Sequence, residues 1–157
     1  VSQNRIRSMA IVHESLYRSG DLSKINFSDY IHRLTLHLFS MYRTEMNRVK
    51  SRIEVGDVFL DINRAIPCGL IINELVSNAL KYAFPDGKKG EITVKMKVDE
   101  NDKYTLVVKD TGIGFPQDLD FRHTETLGMQ LVTDLTAQLD GSVELKREKG
   151  TEFKIVF

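Results

Sequence analysis

The feature that most constrains this chain is a long helix that sets three polar groups in line beside an apolar face. The helix starts at the cap Asp61-Ile62-Asn63 and runs to about Ala83, where Phe84-Pro85-Asp86-Gly87 ends it. Pro67 is tolerable inside it because it lies in the early turns. Glu74, Asn78 and Lys81 fall at i, i+4 and i+7 and so share one face, with apolar Ile71, Leu75, Val76, Ala79 and Leu80 as neighbours. A carboxylate, an amide and an ammonium in such a row form either a solvated stripe or the wall of a polar site, and spacing alone leaves both open.

On the N-terminal side, Ile6, Met9, Ala10, Leu16 and Tyr17, with His13 between them, recur at helical spacing and make a seam that wants a partner helix. Gly20 and Asp21 break it. Phe27, Ile31, Leu34, Leu38 and Met41 then form a second stripe, capped by Asn26 or Ser28, so residues 1–45 read as a helical hairpin. Ser51 to Val55 reads as a short strand, and Asp57 to Leu60 as a loop or a second short strand. Beyond the long helix, strands are expected at Glu91 to Val98, Tyr104 to Lys109, Gly141 to Lys146 and Thr151 to Phe157, with a helix from Gly128 to Leu139 between the second and third. Helices grouped on one side of a largely antiparallel sheet predict an α+β two-layer sandwich. With 157 residues, 41% of them hydrophobic, there is material for one real core, taken as a compact domain over 46–157 with the hairpin as appendage.

The 22 basic and 22 acidic residues cancel to a formal net charge of +0, which argues against nucleic acid or an anionic membrane as partner. The lone Cys68 excludes an internal disulfide and a cysteine-based zinc cage, and fits a reduced, cytoplasmic setting. No run approaches the roughly 20 apolar residues of a membrane span, and no signal peptide opens the chain. A first residue of Val1 suggests a piece of a longer protein, with any sensor or membrane anchor upstream. His32, His37 and His123 have no metal-ligand spacing.

Three further segments carry chemistry. Asp110-Thr111-Gly112-Ile113-Gly114 follows the apolar strand Tyr104 to Lys109 and puts an acid beside a turn whose two glycines permit positive φ and close backbone approach to a ligand. It is also a good plain turn sequence. Leu127-Gly128-Met129-Gln130-Leu131-Val132 opens a helix with a glycine, where free N–H groups and the positive dipole end suit a phosphate. Gly150-Thr151-Glu152-Phe153 places another glycine at a strand entrance. No third glycine and no Walker-type Gly-Lys-Ser/Thr occur, so neither a dinucleotide fingerprint nor a P-loop is present.

The order of these segments is the informative part. Glu74-x-x-x-Asn78 on a long helix, then Asp110-x-Gly112-x-Gly114, then Gly128-Met129-Gln130-Leu131-Val132, then Gly150-Thr151-x-Phe153 resembles the Bergerat ATP-binding fold of the GHKL superfamily over about residues 50 to 157. That superfamily comprises gyrase, the Hsp90 chaperones, histidine kinases and the MutL mismatch-repair proteins. Within it, Asn73 to Pro85 is similar to sensor histidine kinases with a HisKA_2-type or HWE-type dimerisation region, and Asn4 to Ala10 with Val12 to Tyr17 resembles the end of that region.

The resemblance implies roles. Asp110 accepts a hydrogen bond from the adenine amine, where guanine would present a second acceptor. Asn78 ligates Mg2+ through its amide oxygen. Glu74 polarises the acceptor imidazole, as its counterpart activates water in the related ATPases. Lys81 meets phosphate oxygens as a point charge, or snorkels at the surface. Gly112, Gly114, Gly128, Met129 and Thr151 shape the nucleotide's cradle, and Phe115 to Leu127 forms a short lid. The expected activity is transfer of the ATP γ-phosphate to a histidine in two-component signalling, with a response regulator receiver domain as partner and a homodimer formed through the helical region. The family's acceptor motif, of the His-Arg-x-Lys-Asn-Asn type, does not occur here, and His13 is read as a packing residue of the seam. Competing readings are an anti-sigma-factor-type serine kinase, which lacks a hairpin ahead of the fold, and an ATP-gated interaction module.

Overall fold

The computed structural model describes residues 6–7, 10–11, 14, 23–42, 48–113 and 127–157. Their elements are, in chain order, β1 (Ile25–Asn26), α1 (Phe27–Met41), β2 (Val49–Val55), β3 (Phe59–Leu60), α2 (Ile62–Asn78), a π-helical turn (Ala79–Ala83), a 3-10 turn (Pro85–Gly87), β4 (Gly90–Val98), β5 (Tyr104–Asp110), α3 (Leu127–Gln138), β6 (Ser142–Lys146) and β7 (Thr151–Val156). Both long helices start on side-chain caps that relieve an orphan N–H. Asn26, rather than Ser28, caps α1 by accepting from the Asp29 N–H at 3.1 Å, and Asp61 caps α2 by accepting from the Arg64 N–H at 3.0 Å. Pro67 sits in the second turn of α2, and the helix continues through it.

The five-stranded sheet has the order β2-β4-β5-β7-β6. β2 runs parallel to β4 and every other neighbour is antiparallel. β2 begins at Val49, ahead of the expected Ser51, because Val49 and Lys50 pair with Gly90 and Glu91. The Asp57 to Leu60 ambiguity resolves as a two-residue strand: Leu60 pairs with Ile25 and Phe59 with Asn26, so the entries to α1 and α2 are tied together.

Along each strand, alternate residues face the helices. Ile92, Val94 and Met96 of β4, Leu106 and Val108 of β5 and Phe153 and Ile155 of β7 are buried in one core with Cys68, Ile71, Ile72, Leu75 and Val76 of α2 and Met129, Val132 and Leu135 of α3. The helices therefore lie on one face, the two-layer α+β arrangement expected. On the other face Lys95, Lys97 and Lys109 are exposed, while the two outermost strands show Lys50, Arg52 and Glu54 on β2 and Glu144 and Lys146 on β6. Phe27, Tyr30, Ile31, Leu34 and Leu38 bring α1 into the same core, each of them at most 1% exposed. At about 1.5–3 kcal/mol per fully buried large apolar side chain, α1 is an integral part of the fold.

Before α1, the described residues Ile6, Arg7, Ala10, Ile11 and Glu14 are helical, and Glu14 pairs with Arg33 of α1 at 2.7 Å. Met9, His13, Leu16 and Tyr17 of the expected seam lie outside the described residues. No described helix is long and apolar enough to cross a membrane.

The α1–α2 contact rests on Gly69. Tyr30 is 1% exposed, its ring and hydroxyl fill the space where a Gly69 side chain would stand, and that hydroxyl has no hydrogen-bond partner among the described residues. Gly69→Ala is expected to destabilise the fold by about 1–3 kcal/mol through overpacking. Tyr30→Phe removes an unsatisfied buried hydroxyl and is expected to hold or raise stability, by up to about 1 kcal/mol. Urea unfolding of both variants against the parent chain checks the pair.

Candidate functional site

The polar stripe of α2 is not a solvated face. Asn73, Glu74 and Ser77 are buried, and Asn78 is half-buried at the helix end. Polar groups are costly to bury, so a row of them in a helix that could have been apolar marks a site. α3 begins against this row. A side chain on Gly128 would stand 2.8 Å from Glu74 Oε2 and 3.8 Å from Asn78 Nδ2, so the glycine lets the first turn of α3 reach the α2 carboxylate and amide. The next residue, Met129, is 4% exposed and belongs to the core.

Lys81 departs from the row. After Asn78 the α-helix widens into the π turn Ala79–Ala83, which advances less per residue than an α-helix. Lys81 is exposed, and its ammonium lies 5.6 Å from the centre of the Tyr42 ring at the end of α1. This is a cation–π contact, on the side of the hairpin.

Asp110 is the last residue of β5 and pairs across the sheet with Ile92 and Thr151, in the row that faces the helices. It is 7% exposed. Its Oδ1 accepts the Gly112 N–H at 2.9 Å, and the carboxylate also accepts the Thr151 backbone N–H. Burial pushes its pKa above the ordinary carboxylate range, opposed by those two N–H groups and by the positive charge of Lys88. Two N–H bonds leave a carboxylate with further accepting capacity, as a ligand N–H requires.

At Gly112 the backbone uses close approach and not the positive φ that glycine permits. The residue is placed where any side chain would strike the Ala83 carbonyl, and the following Ile113 N–H donates to that same carbonyl at 2.9 Å. Close approach is indeed required, but to the end of the π turn. The positive φ belongs to Gly150, at +102°, where a side chain would strike the Asp110 carbonyl oxygen. Thr151, buried beside Asp110, follows it.

The structure thus gathers two clusters, Glu74–Asn78–Gly128 and Asp110–Gly112–Thr151, joined through the contact of Gly112 with Ala83. Gly114 and residues 115–126 of the expected lid lie outside the described residues. The sequence reading missed Lys88, whose charge reaches Asp110, and Thr111, whose hydroxyl accepts the Glu91 N–H at 2.9 Å. Neither carries a local signal, since each acts through strand register across the sheet.

An α2 carboxylate and amide facing a glycine-opened helix, with a buried aspartate at the end of a central strand, define a protein of the ATP-binding GHKL class. The chain belongs to the histidine kinase-, DNA gyrase B- and HSP90-like ATPase family, whose model matches residues 63–157, and a histidine kinase family model, HisKA_2, matches residues 1–42. It is 33% identical over 156 residues to the sensor histidine kinase PdtaS of Mycobacterium tuberculosis, a match that spans 96% of this chain and 30% of that protein. The blue-light-activated histidine kinase 2 of Erythrobacter litoralis is 27% identical over 99 residues, 63% of this chain and 29% of that one. This chain therefore spans about a third of the length of these relatives. Among solved structures, the histidine kinase domain of Erythrobacter litoralis EL346 superposes with a TM-score of 0.90 at 22% identity, over 99% of this chain and 73% of that one. Acinetobacter baumannii histidine kinase AdeS superposes with a TM-score of 0.69 at 16% identity, over 97% of this chain and 75% of that one. These two structures share the fold.

The Asp110 environment generates a pH prediction. Because the folded-state pKa is raised, the folded protein holds more protons than the unfolded chain between the two pKa values, and stability falls as pH rises through that window. Asp110→Asn removes this titration. From about pH 4, the ordinary carboxylate value, upward through the raised pKa, the parent chain should lose stability relative to Asp110→Asn, after which the difference should level off. Chemical denaturation of both proteins across this pH range measures it.

Proposed function

We propose that this chain binds Mg-ATP between α2, the start of α3 and the ends of β5 and β7, and presents the γ-phosphate to a histidine of a dimerisation region. The observation that carries the reading is the buried Asp110 carboxylate, held by two backbone N–H groups at a strand end, with the buried Glu74 acid and the half-buried Asn78 amide on the neighbouring helix. In this reading Asp110 accepts from the adenine amine, and Thr151 lines the same end. Asn78 holds the magnesium ion, whose chemistry is to neutralise charge on the phosphates. Glu74 orients and polarises the acceptor imidazole, while Gly128 and Met129 set the first turn of α3 beside the phosphates. Gly112 and Gly114 form the strand-end turn. Lys81 is assigned to phosphate contact only if it leaves Tyr42.

Residues 1–45 are proposed as the C-terminal part of the dimerisation and phosphotransfer region and 46–157 as the catalytic domain, a division supported by family matches at 1–42 and 63–157. The first of those matches favours a histidine over a serine acceptor. Homodimerisation through the helical region, a receiver domain as phosphate recipient, and a cytoplasmic setting complete the proposal. The relatives' names as sensor histidine kinases support it.

Two measurements test this reading. Calorimetric titration with Mg-ATP should show binding that Asp110→Asn weakens by more than about tenfold, roughly 1.4 kcal/mol; unchanged affinity would remove Asp110 from the base pocket. Incubation with γ-labelled ATP should leave this chain unlabelled. A base-stable, acid-labile label abolished by His13→Gln would instead make His13, which lies outside the described residues, the acceptor.

A further inference from the structure

Arg48 directly precedes β2, and it grips the turn that follows α2 at three points. Its Nη1 donates to the Phe84 carbonyl at 3.0 Å and to the Lys88 carbonyl at 3.0 Å, and its own carbonyl accepts the Gly90 N–H at 2.9 Å. A guanidinium nitrogen carries two N–H groups, so one side chain can hold both ends of a turn, and the bonds are charge-assisted. Phe84, 5% exposed, lays its ring where a Gly90 side chain would stand. From there the turn is fastened to the end of β5: the Thr111 N–H donates to the Glu91 carbonyl at 3.1 Å and the Thr111 hydroxyl accepts the Glu91 N–H at 2.9 Å. Thr111 directly follows Asp110, and the charge of Lys88, on the gripped turn, acts on that carboxylate.

We propose that Arg48 is a positioning residue for the base-binding end of the nucleotide site, fixing the Phe84–Gly90 turn against the Asp110–Thr111 strand end from the start of β2. The inference rests on the nucleotide-binding reading above. It makes the base pocket sensitive to how the chain enters β2, since the same residue directly precedes that strand and clamps the turn.

The test uses this chain with Arg48→Met, which keeps the side chain's bulk and loses its donors, and Arg48→Lys, which keeps a cation with three N–H donors. Affinities for ATP, ADP and GTP are measured by calorimetry at pH 7.5, with urea unfolding in parallel. Arg48→Met should weaken ATP and ADP by the same factor, about tenfold, the scale of one lost contact, and should narrow the preference for ATP over GTP. Arg48→Lys should recover most of both. Loss at the phosphate end would separate ATP from ADP, and a purely structural role would lower the urea midpoint while leaving the ATP-to-GTP ratio intact; either result overturns the proposal, as does parent-like affinity in folded Arg48→Met. Should Arg48→Met fail to fold, Arg48→Gln, with a single amide donor group, takes its place under the same outcomes. A parent chain that binds no ATP would defeat the nucleotide-binding reading itself.

Discussion

Everything at the site depends on one backbone joint, where the end of α2 meets the end of β5. Gly112 lies against the Ala83 carbonyl and Ile113 donates to it at 2.9 Å. The helix brings Glu74 and Asn78, the strand brings Asp110, and this contact sets their separation. A methyl group on Gly112 would push the two apart against backbone, which has no rotamer with which to yield. The π turn fits the same logic: the helix gives up α geometry over Ala79–Ala83 just as it arrives at the joint. Such bulges are frequent at functional sites, because they re-aim the chain without ending the helix.

The site stands at the expense of the apolar packing around it. Asn73, Glu74 and Ser77 occupy buried positions of α2, and the Ser77 hydroxyl has no hydrogen-bond partner among the described residues. Asp110 keeps a carboxylate in a place that favours its neutral form. What offsets these groups is the continuity of the core on both sides of them, from Phe27 and Leu34 on α1 through Ile71 and Val76 on α2 to Leu106 and Ile155 on the sheet. Because α1 is drawn into that core, the interval between the two family matches, residues 42 to 63, is not a gap between two packed bodies.

What the sequence made legible was whatever is decided within a few residues. The Asp61 cap, the Phe27-to-Leu38 stripe and the strands β4 to β7 follow from local cap chemistry and periodicity, and they appear within a residue or two of expectation. Four glycine-bearing or acid-bearing segments in a fixed order were enough to imply the fold class. The choice between a solvated and a buried stripe at Glu74 and Asn78 needed α3 laid over it, and α3 begins about a third of the chain further on. Lys81 fell out of the row because a π turn differs from an α turn by one residue per bond, a difference settled by a strand-end joint about thirty residues downstream. Gly112 was legible as a point of close approach, but its contact with the Ala83 carbonyl had no local signal. Arg48 and Lys88 carried no signal at all, since their roles exist only once β2 pairs with β4 in parallel.

The outermost strands carry one more consequence. A sheet with free edges offers unpaired backbone groups to any extended chain, and two copies of such a protein held close together would be at risk of zipping edge to edge. β2 meets that hazard with Lys50, Arg52 and Glu54, and β6 is short and shows Glu144 and Lys146. Charge of both signs at each rim makes a growing stack of sheets pay desolvation at every added strand. Among the described residues, the sheet's edges are therefore marked by charge as well as by topology.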